Sequence, residues 1–354
     1  MHADTSAVRH GEELNLEVLQ NYLTGKIEGA ADGILVEQFP GGHSNLTYLL
    51  EIGGREYVLR RAPLGPVAPK AHDMARESRV LEAVHPHFPP APKVFLLCED
   101  PAVLGAVFYL MERRRGTIIR DSIPDDIAAL PEYPRRLSEA LIDCMVQLHA
   151  IDILATGLIK IGKPEGFLQR QVGGWAERWH RAVLEPQPKM NRVIEFLEKT
   201  IPASGTPTLV HNDFKLDNVM FAHGNPDRVE AVLDWEMTTV GDPMCDLGLT
   251  LCYWMQGGSP DLASYGGKSA HPLNSGPGWY TQQQIVERYA AKTGRDMSAV
   301  QWHVTLGWFK LAVIIQQIYI RYVRGQTQDA RFAHFGERVA ALIDKAQLAS
   351  ELAG

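Results

Sequence analysis

Cysteine is scarce in this chain. Cys98, Cys144, Cys245 and Cys252 are the only four in 354 residues, and no two form a CxxC pair. That pattern leaves no disulfide framework or cysteine metal knuckle to organise a fold, and it suits reduced thiols in a cytoplasmic setting. Each thiol is expected to be a small core or surface residue. An excess of positive charge is also missing. The formal net charge is −7, which argues against nucleic acid as a partner. Long apolar runs are missing too. The longest, residues 306–323, is interrupted by Lys310, Gln316, Gln317 and Arg321. It reads as a buried helix, and no membrane partner is expected. The opening MHADTSAVRHGEEL is polar throughout, so no leader is expected from it. There is no internal repeat and no low-complexity tract.

What remains is ordinary globular material, 45% hydrophobic and 22% charged, long enough for two modest domains or one two-lobed domain. Residues 12–24 carry a helical pattern. GILVEQF, LTYLLEI and EYVLRRA then read as three strands, with PGGHSN and GGR as the turns between them. HDMARESRVLEAVH has apolar residues at helix spacing, and KVFLLCED and AVFYLMERR read as two further strands. From Gly116 onward the pattern becomes helical, beginning with YPRRLSEALIDCMVQLHAI. The expected division is a β-rich part over residues 1–113 with one inserted helix, and a mainly helical part over residues 114–354. The glycine-rich stretch 256–278 is expected as a long surface loop on the substrate side.

The densest polar cluster is LVHNDFKLDNVMF, residues 209–221. VMF and VEAVLDW flank the turn-rich AHGNPDR, a hairpin signal. Such a hairpin brings Asp234 back toward Asn218, and one carboxylate with one amide oxygen suits Mg²⁺, which takes few protein ligands beside water and phosphate. Asp213 lies five residues before Asn218. A carboxylate beside a metal–phosphate site can accept a proton from an attacking hydroxyl. Taken singly, these residues have plainer readings. Asp213 or Asp217 alone suits a turn or helix cap. His211 suits a packed loop residue, Asp242 and Asp246 suit caps of the helix that follows, and Trp175 and Trp179 suit core positions.

As an ordered set they resemble one family. The run His211 to Asn218 resembles the HxDxxxxN catalytic loop of the protein-kinase-like fold. Leu233-Asp234-Trp235-Glu236 resembles its metal-binding element, and together with GDPMCDLG the set is similar to the aminoglycoside phosphotransferase and choline kinase group. The resemblance implies a two-lobed α+β fold, with ATP and Mg²⁺ as cofactors and a small hydroxylated molecule as substrate. It implies Asp213 as the catalytic base and Lys215 as the residue that steadies the transferred phosphate. Asn218 and Asp234 would be the Mg²⁺ ligands, and Asp246 a support for the loop. In the small lobe it implies Gly41, Gly42 and Ser44 in the turn over the phosphates, with Arg60 where kinases usually carry lysine. Strand alternation puts Arg60 on the face opposite Arg61, and Glu77 is expected to pair with Arg60. Backbone groups near Glu112 and Arg114 would meet adenine.

The stretch GFLQRQVGGWAERWHRA, residues 166–182, resembles the branch joined to some acyl-CoA dehydrogenases, which implies a hydroxyacyl-CoA thioester as one acceptor. An amino sugar or small alcohol is the alternative acceptor, and an idle nucleotide-binding module or a metal-dependent phosphohydrolase the alternative function. Residues 251–354 hold 7 acidic and 10 basic residues, the wrong sign for a polycation. Arg178, Arg181, Arg321 and Arg324 are the residues expected to face an anionic acceptor.

Overall fold

The computed structural model describes residues 4–40, 45–63, 73–120, 122–254, 273–327 and 329–353. Gly41, Gly42, Ser44 and most of the 256–278 stretch lie outside the described residues. The chain forms two compact units. One comprises Met1–Gly116 with Glu230–Glu236, the other Thr117–Val229 with Met237–Gly354.

The first unit contains α1 (Leu16–Leu23), β1 (Ile34–Gln38), β2 (Leu46–Ile52), β3 (Arg55–Arg61), α2 (Met74–Val84), β4 (Val94–Cys98), α3 (Pro101–Leu104) and β5 (Phe108–Glu112). The strands make one antiparallel sheet in the order β1-β2-β3-β5-β4. The β2–β3 reversal is a two-residue turn, with Gly53 at φ 57° and Gly54 at φ 73°. Both angles are left-handed, and glycine adopts them without strain. Period-two alternation divides β3 between the two sheet faces. Leu59 joins a core of Leu19, Leu23, Tyr48, Leu50, Phe108 and Leu110. Arg61 follows it onto that face, stacks on Tyr48 and donates to the Leu104 carbonyl at 2.9 Å. Arg60 is left on the side of α2.

The second unit contains β6 (Thr117–Ile118), α4 (Asp125–Ala128), α5 (Tyr133–His149), α6 (Phe167–Ala182), α7 (Pro188–Lys199), β7 (Thr208–Val210), β8 (Val219–Ala222), the start of β9 (Asn225–Val232, whose last residues belong to the first unit), β10 (Thr239–Gly241), α8 (Met244–Tyr253), α9 (Gln282–Thr293), α10 (Val300–Val323) and α11 (Phe335–Ala353). β7 pairs with β10, and β6-β8-β9 form a small sheet. The hairpin is tighter than the sequence pattern predicts. β9 begins at Asn225 and ends at Val232, leaving only His223 and Gly224 as the turn. Gly224, at φ 61°, makes so short a reversal accessible. Asp234 therefore stands beyond the strand rather than at its end.

α10 is buried around nearly its whole circumference from Trp302 to Val313, as an apolar helix at the centre of a bundle should be. Among the described residues no helix is long and apolar enough to cross a membrane. α8 crosses α10 closely through two glycines. A Cβ at Gly248 would stand 2.6 Å from the His303 backbone, and one at Gly307 would stand 2.7 Å from Cys252 Sγ. Alanine at a helix glycine gains about 1 kcal/mol in propensity, but a backbone overlap costs about 1–3 kcal/mol because no rotamer change relieves it. Gly248→Ala is therefore expected to lower the melting temperature measured by calorimetry. An unchanged or raised value would mean that the helices separate freely.

Candidate active site

The loop after β7 is built from the backbone outward. His211 and Asn212 are buried, and Asn212 has a left-handed φ of 65°. A non-glycine residue held there needs support from its surroundings. That support comes from one stripe of α8, at positions i, i+4 and i+7. Asp246 accepts the His211 N–H at 2.7 Å and the Asn212 N–H at 2.6 Å, one on each carboxylate oxygen. Thr250 donates to the Phe214 carbonyl at 2.6 Å. The Tyr253 ring carries the Lys215 ammonium 4.9 Å from its centroid. Asp246 is thus a brace for the loop, not a helix cap. Asp242, just ahead of the helix, accepts the Met244 N–H at 2.9 Å.

Behind Asp246 lies a second layer. His149, at the end of α5, places Nε2 3.1 Å from Asp246 Oδ2 and Nδ1 2.8 Å from the Tyr289 hydroxyl. Asp246 is fully buried. Burial alone would push its carboxyl up, yet the His149 hydrogen bond and charge, with the His211 N–H, hold it below its ordinary 3.8. A depressed carboxylate contributes stability above its unfolded pKa and loses it as pH falls through the folded value. Asp246→Ala strands two buried N–H donors and a histidine, and should cost about 3 kcal/mol or more near neutrality. That deficit should shrink below pH 3.8. Denaturant melts of both proteins across that range would show it, and a pH-independent difference would contradict the brace.

The braced loop presents Asp213, Lys215 and Asn218 together. Asn218 Nδ2 donates to Asp213 Oδ2 at 2.7 Å and to the Asp213 carbonyl at 2.9 Å. Lys215 Nζ stands 3.2 Å from the same Asp213 oxygen. Among the described residues Asp213 Oδ1 accepts no hydrogen bond, and neither does Asn218 Oδ1. One carboxylate oxygen is therefore held and the other is open. The Asn218 amide shows its oxygen away from Asp213.

In the first unit a second polar set surrounds Arg60. Glu77 lies on the buried face of α2 with Met74, Val80, Leu81 and Val84, and is 0% exposed. Its Oε1 meets Arg60 Nη1 at 2.8 Å. Asp234 Oδ1 is 3.5 Å from Arg60 Nη2, and Asn45 donates to Glu236 at 3.3 Å. Asp234, like Asn212, is non-glycine at a left-handed φ, 66°. Burial opposes the charge on Arg60, but Glu77 above all, with Tyr109, Asp234 and Glu236, holds the guanidinium protonated above its usual range. Three carboxylates, Glu77, Asp234 and Glu236, stand here with two guanidiniums, Arg60 and Arg76, the latter donating to the Glu236 carbonyl at 2.9 Å. Burial, then Asp234 and Glu77, push the Glu236 carboxyl up to about 7. Such a shortage of positive charge suits a divalent cation. No group of three metal-binding side chains occurs among the described residues, but Mg²⁺ needs only one or two carboxylates beside phosphate and water. Glu236 was not singled out by the sequence, although it stands in the same LDWE run. Glu112 and Arg114, expected near adenine, pair with each other at 2.9 Å, and Arg114 also donates to the Pro89 carbonyl.

The second unit also holds a cavity of about 360 Å³ beside Asn212. Lys163, Arg170 and Arg178 line it with Phe167, Trp175 and Met237. Of the four arginines expected to face an anion, only Arg178 is here. Arg181 pairs with Glu177 at 3.3 Å, and Arg321 and Arg324, at the end of α10, are exposed.

Known proteins share this framework. The phosphotransferase enzyme family model matches residues 35–280. Acyl-CoA dehydrogenase family member 10 of Mus musculus is 31% identical over 97% of this chain, and member 11 of Rattus norvegicus is 33% identical over 91%. The chain spans only 32% and 41% of those two proteins. A solved Ralstonia eutropha structure, provisionally assigned as an aminoglycoside phosphotransferase, is 29% identical with a TM-score of 0.79, covering 96% of this chain and 99% of that one. A thermostable mutant of aminoglycoside phosphotransferase APH(4)-Ia, solved with AMP-PNP and hygromycin B, is 18% identical with a TM-score of 0.58 over 92% of this chain and 98% of its own, a likeness of fold alone. The two-lobed α+β kinase-like fold is common to them, and this chain belongs to the phosphotransferase enzyme family.

Proposed function

We propose that this chain is an ATP- and Mg²⁺-dependent phosphotransferase that moves the γ-phosphate to a hydroxyl of a small molecule. The observation that carries the reading is Asp213, with one oxygen held by Asn218 and Lys215 and the other open. Asp213 Oδ1 takes the proton of the acceptor hydroxyl. The acceptor oxygen then bonds to the γ-phosphorus as the β,γ-bridging bond breaks, and ADP leaves. Lys215 offers its ammonium to the transferred group. Arg60, fixed by Glu77, offers a forked guanidinium to phosphate oxygens. Gly41, Gly42 and Ser44 are assigned to binding the phosphates, and the segment from Glu112 to Arg114 to the adenine side. Asn218 and Asp234 would hold Mg²⁺, whose chemistry there is to neutralise charge on phosphate oxygens. The AMP-PNP bound to APH(4)-Ia supports nucleotide use within the fold.

For the acceptor, a hydroxyacyl-CoA thioester is favoured. Its support is the relatives' naming as acyl-CoA dehydrogenase family members and the likeness of residues 166–182 to that branch. Three cations in the cavity beside Asn212 weigh against a polycationic amino sugar. A phosphohydrolase would need His211 and Asp242 on a shared metal. Asp242 is instead turned to Met244 and His303.

ADP release measured with hydroxyacyl-CoA thioesters, amino sugars and choline tests the reading. Acceptor-dependent release is expected with the thioesters. Faster release with kanamycin-type compounds would overturn the acceptor assignment.

A further inference from the structure

Residues 4–12 run beside β1 as a strap, and every polar group of Gln38 turns to it. β1 is an edge strand, so its outer N–H and C=O groups need partners from outside the sheet. Ser6 supplies them at Gln38. It donates its N–H to the Gln38 carbonyl at 2.8 Å and accepts the Gln38 N–H at 2.9 Å, an antiparallel bridge. The Gln38 side chain, 0% exposed, is satisfied the same way. Its Oε1 accepts the Arg9 N–H at 2.8 Å, and its Nε2 donates to Glu12 Oε2 at 2.6 Å. Arg9 Nε donates to that same Glu12 oxygen at 2.7 Å. The buried Tyr48 of β2 donates its hydroxyl to the Glu12 carbonyl at 2.6 Å, and Thr5 donates to the Glu37 carboxylate. A buried amide whose partners all lie in one segment fixes the register of that segment. A slip would strand its polar groups at about 1–3 kcal/mol each.

The strap also reaches the segment that follows β5. Asp4 pairs with Arg113 Nη2 and is the only carboxylate to do so among the described residues. The Arg113 side chain is 9% exposed. It donates from Nη1 to the Arg114 carbonyl at 2.9 Å, and its guanidinium rests 4.9 Å from the Phe39 centroid. Phe39 follows Gln38, donates its N–H to the Thr47 carbonyl at 3.1 Å, and stands two positions ahead of Gly41 in the chain. Residues 4–12 thus hold both Arg113, in the segment assigned to adenine, and Gln38 with Phe39, which lead into the residues assigned to the phosphates.

Covering a strand edge takes backbone alone. The ion pair at Asp4 and the buried amide at Gln38 add something else, a fixed position relative to Arg113 and Phe39. We infer that residues 4–12 are a positioning element of the nucleotide site, acting through Arg113 and Phe39. The inference rests on the phosphotransfer reading for the identity of the ligand. None of these residues takes part in the transfer step, so the strap governs nucleotide affinity and the KM for ATP and leaves kcat alone.

Calorimetric titration with AMP-PNP, beside steady-state kinetics, tests this in the wild-type protein, Asp4→Asn, Ser6→Pro and Glu99→Gln. Asp4→Asn keeps the side-chain shape and removes the charge that pairs with Arg113. Ser6→Pro removes the N–H that reaches Gln38. Glu99→Gln is the control, because it breaks an exposed pair with Arg79, 2.7 Å apart, just beyond β4 at the other edge of the sheet. Asp4→Asn and Ser6→Pro should each weaken AMP-PNP and raise the KM for ATP by roughly two- to fivefold, with kcat within about twofold of wild type. Asp4→Asn should do so at the wild-type melting temperature, since an exposed ion pair contributes little to stability. Glu99→Gln should match wild type throughout. Wild-type affinity in both strap variants, an equal loss in the control, or a loss confined to kcat would overturn the inference while leaving the phosphotransfer reading intact. Failure of the wild-type protein to bind AMP-PNP would refute both.

Discussion

Asp213→Asn should lower phosphoryl transfer by about 10²–10⁴-fold, the range for a positioned general base, while nucleotide affinity stays within about threefold. The substitution preserves shape. Its side chain still offers an oxygen to Asn218 Nδ2, which donates to Asp213 at 2.7 Å in the parent. It loses the ability to take a proton and the charge that holds Lys215 at 3.2 Å. Steady-state kinetics with calorimetric titration of a non-hydrolysable nucleotide separate the two quantities. Turnover within tenfold of wild type would remove Asp213 from the role of base. A matching loss of nucleotide affinity would make it a binding residue.

Asp234→Asn should make nucleotide binding insensitive to Mg²⁺. Asparagine is the informative replacement because Asp234 sits at φ 66°. Asparagine tolerates that conformation, whereas alanine would add backbone strain to the lost charge. Outer partners of metal ligands are worth about 10–100-fold in metal affinity, so a ligand itself should cost at least that. The substitution also removes one of the charges that push the Glu236 carboxyl up to about 7. Titrating nucleotide with and without Mg²⁺ measures the effect directly. A Mg²⁺ enhancement equal to wild type would assign the metal elsewhere.

Much of this was legible from local pattern. Strand alternation is a strict period of two, so β3 could put Arg60 and Arg61 only on opposite faces. The structure gives Arg60 to Glu77 and Arg61 to Tyr48. Glu77 was expected beside Arg60 from the family resemblance, and the structure sets it on the buried face of α2, 2.8 Å from that guanidinium. The loop residues from His211 to Asn218 were readable from their density. Long-range partners were not. Thr250 and Tyr253 join Asp246 on one face of α8, a spacing visible in the sequence, but nothing local says which loop that face meets. His149 closes a helix that looks complete without it, and Tyr289 reaches it from 140 positions away. The cations of α6 were harder still. Arg178 and Arg181 are both exposed on that helix and look alike in sequence. Only packing decides that one faces the cavity and the other pairs with Glu177.

Phosphorus NMR of ATP, Mg²⁺, the protein and a panel of hydroxy acids and hydroxyacyl-CoA thioesters tests the central claim most directly. The γ-phosphorus signal should move into a new phosphomonoester resonance matched one to one by ADP, and Asp213→Asn should suppress it. ATP left unchanged across the panel, or a γ-phosphorus recovered only as inorganic phosphate, would contradict the claim.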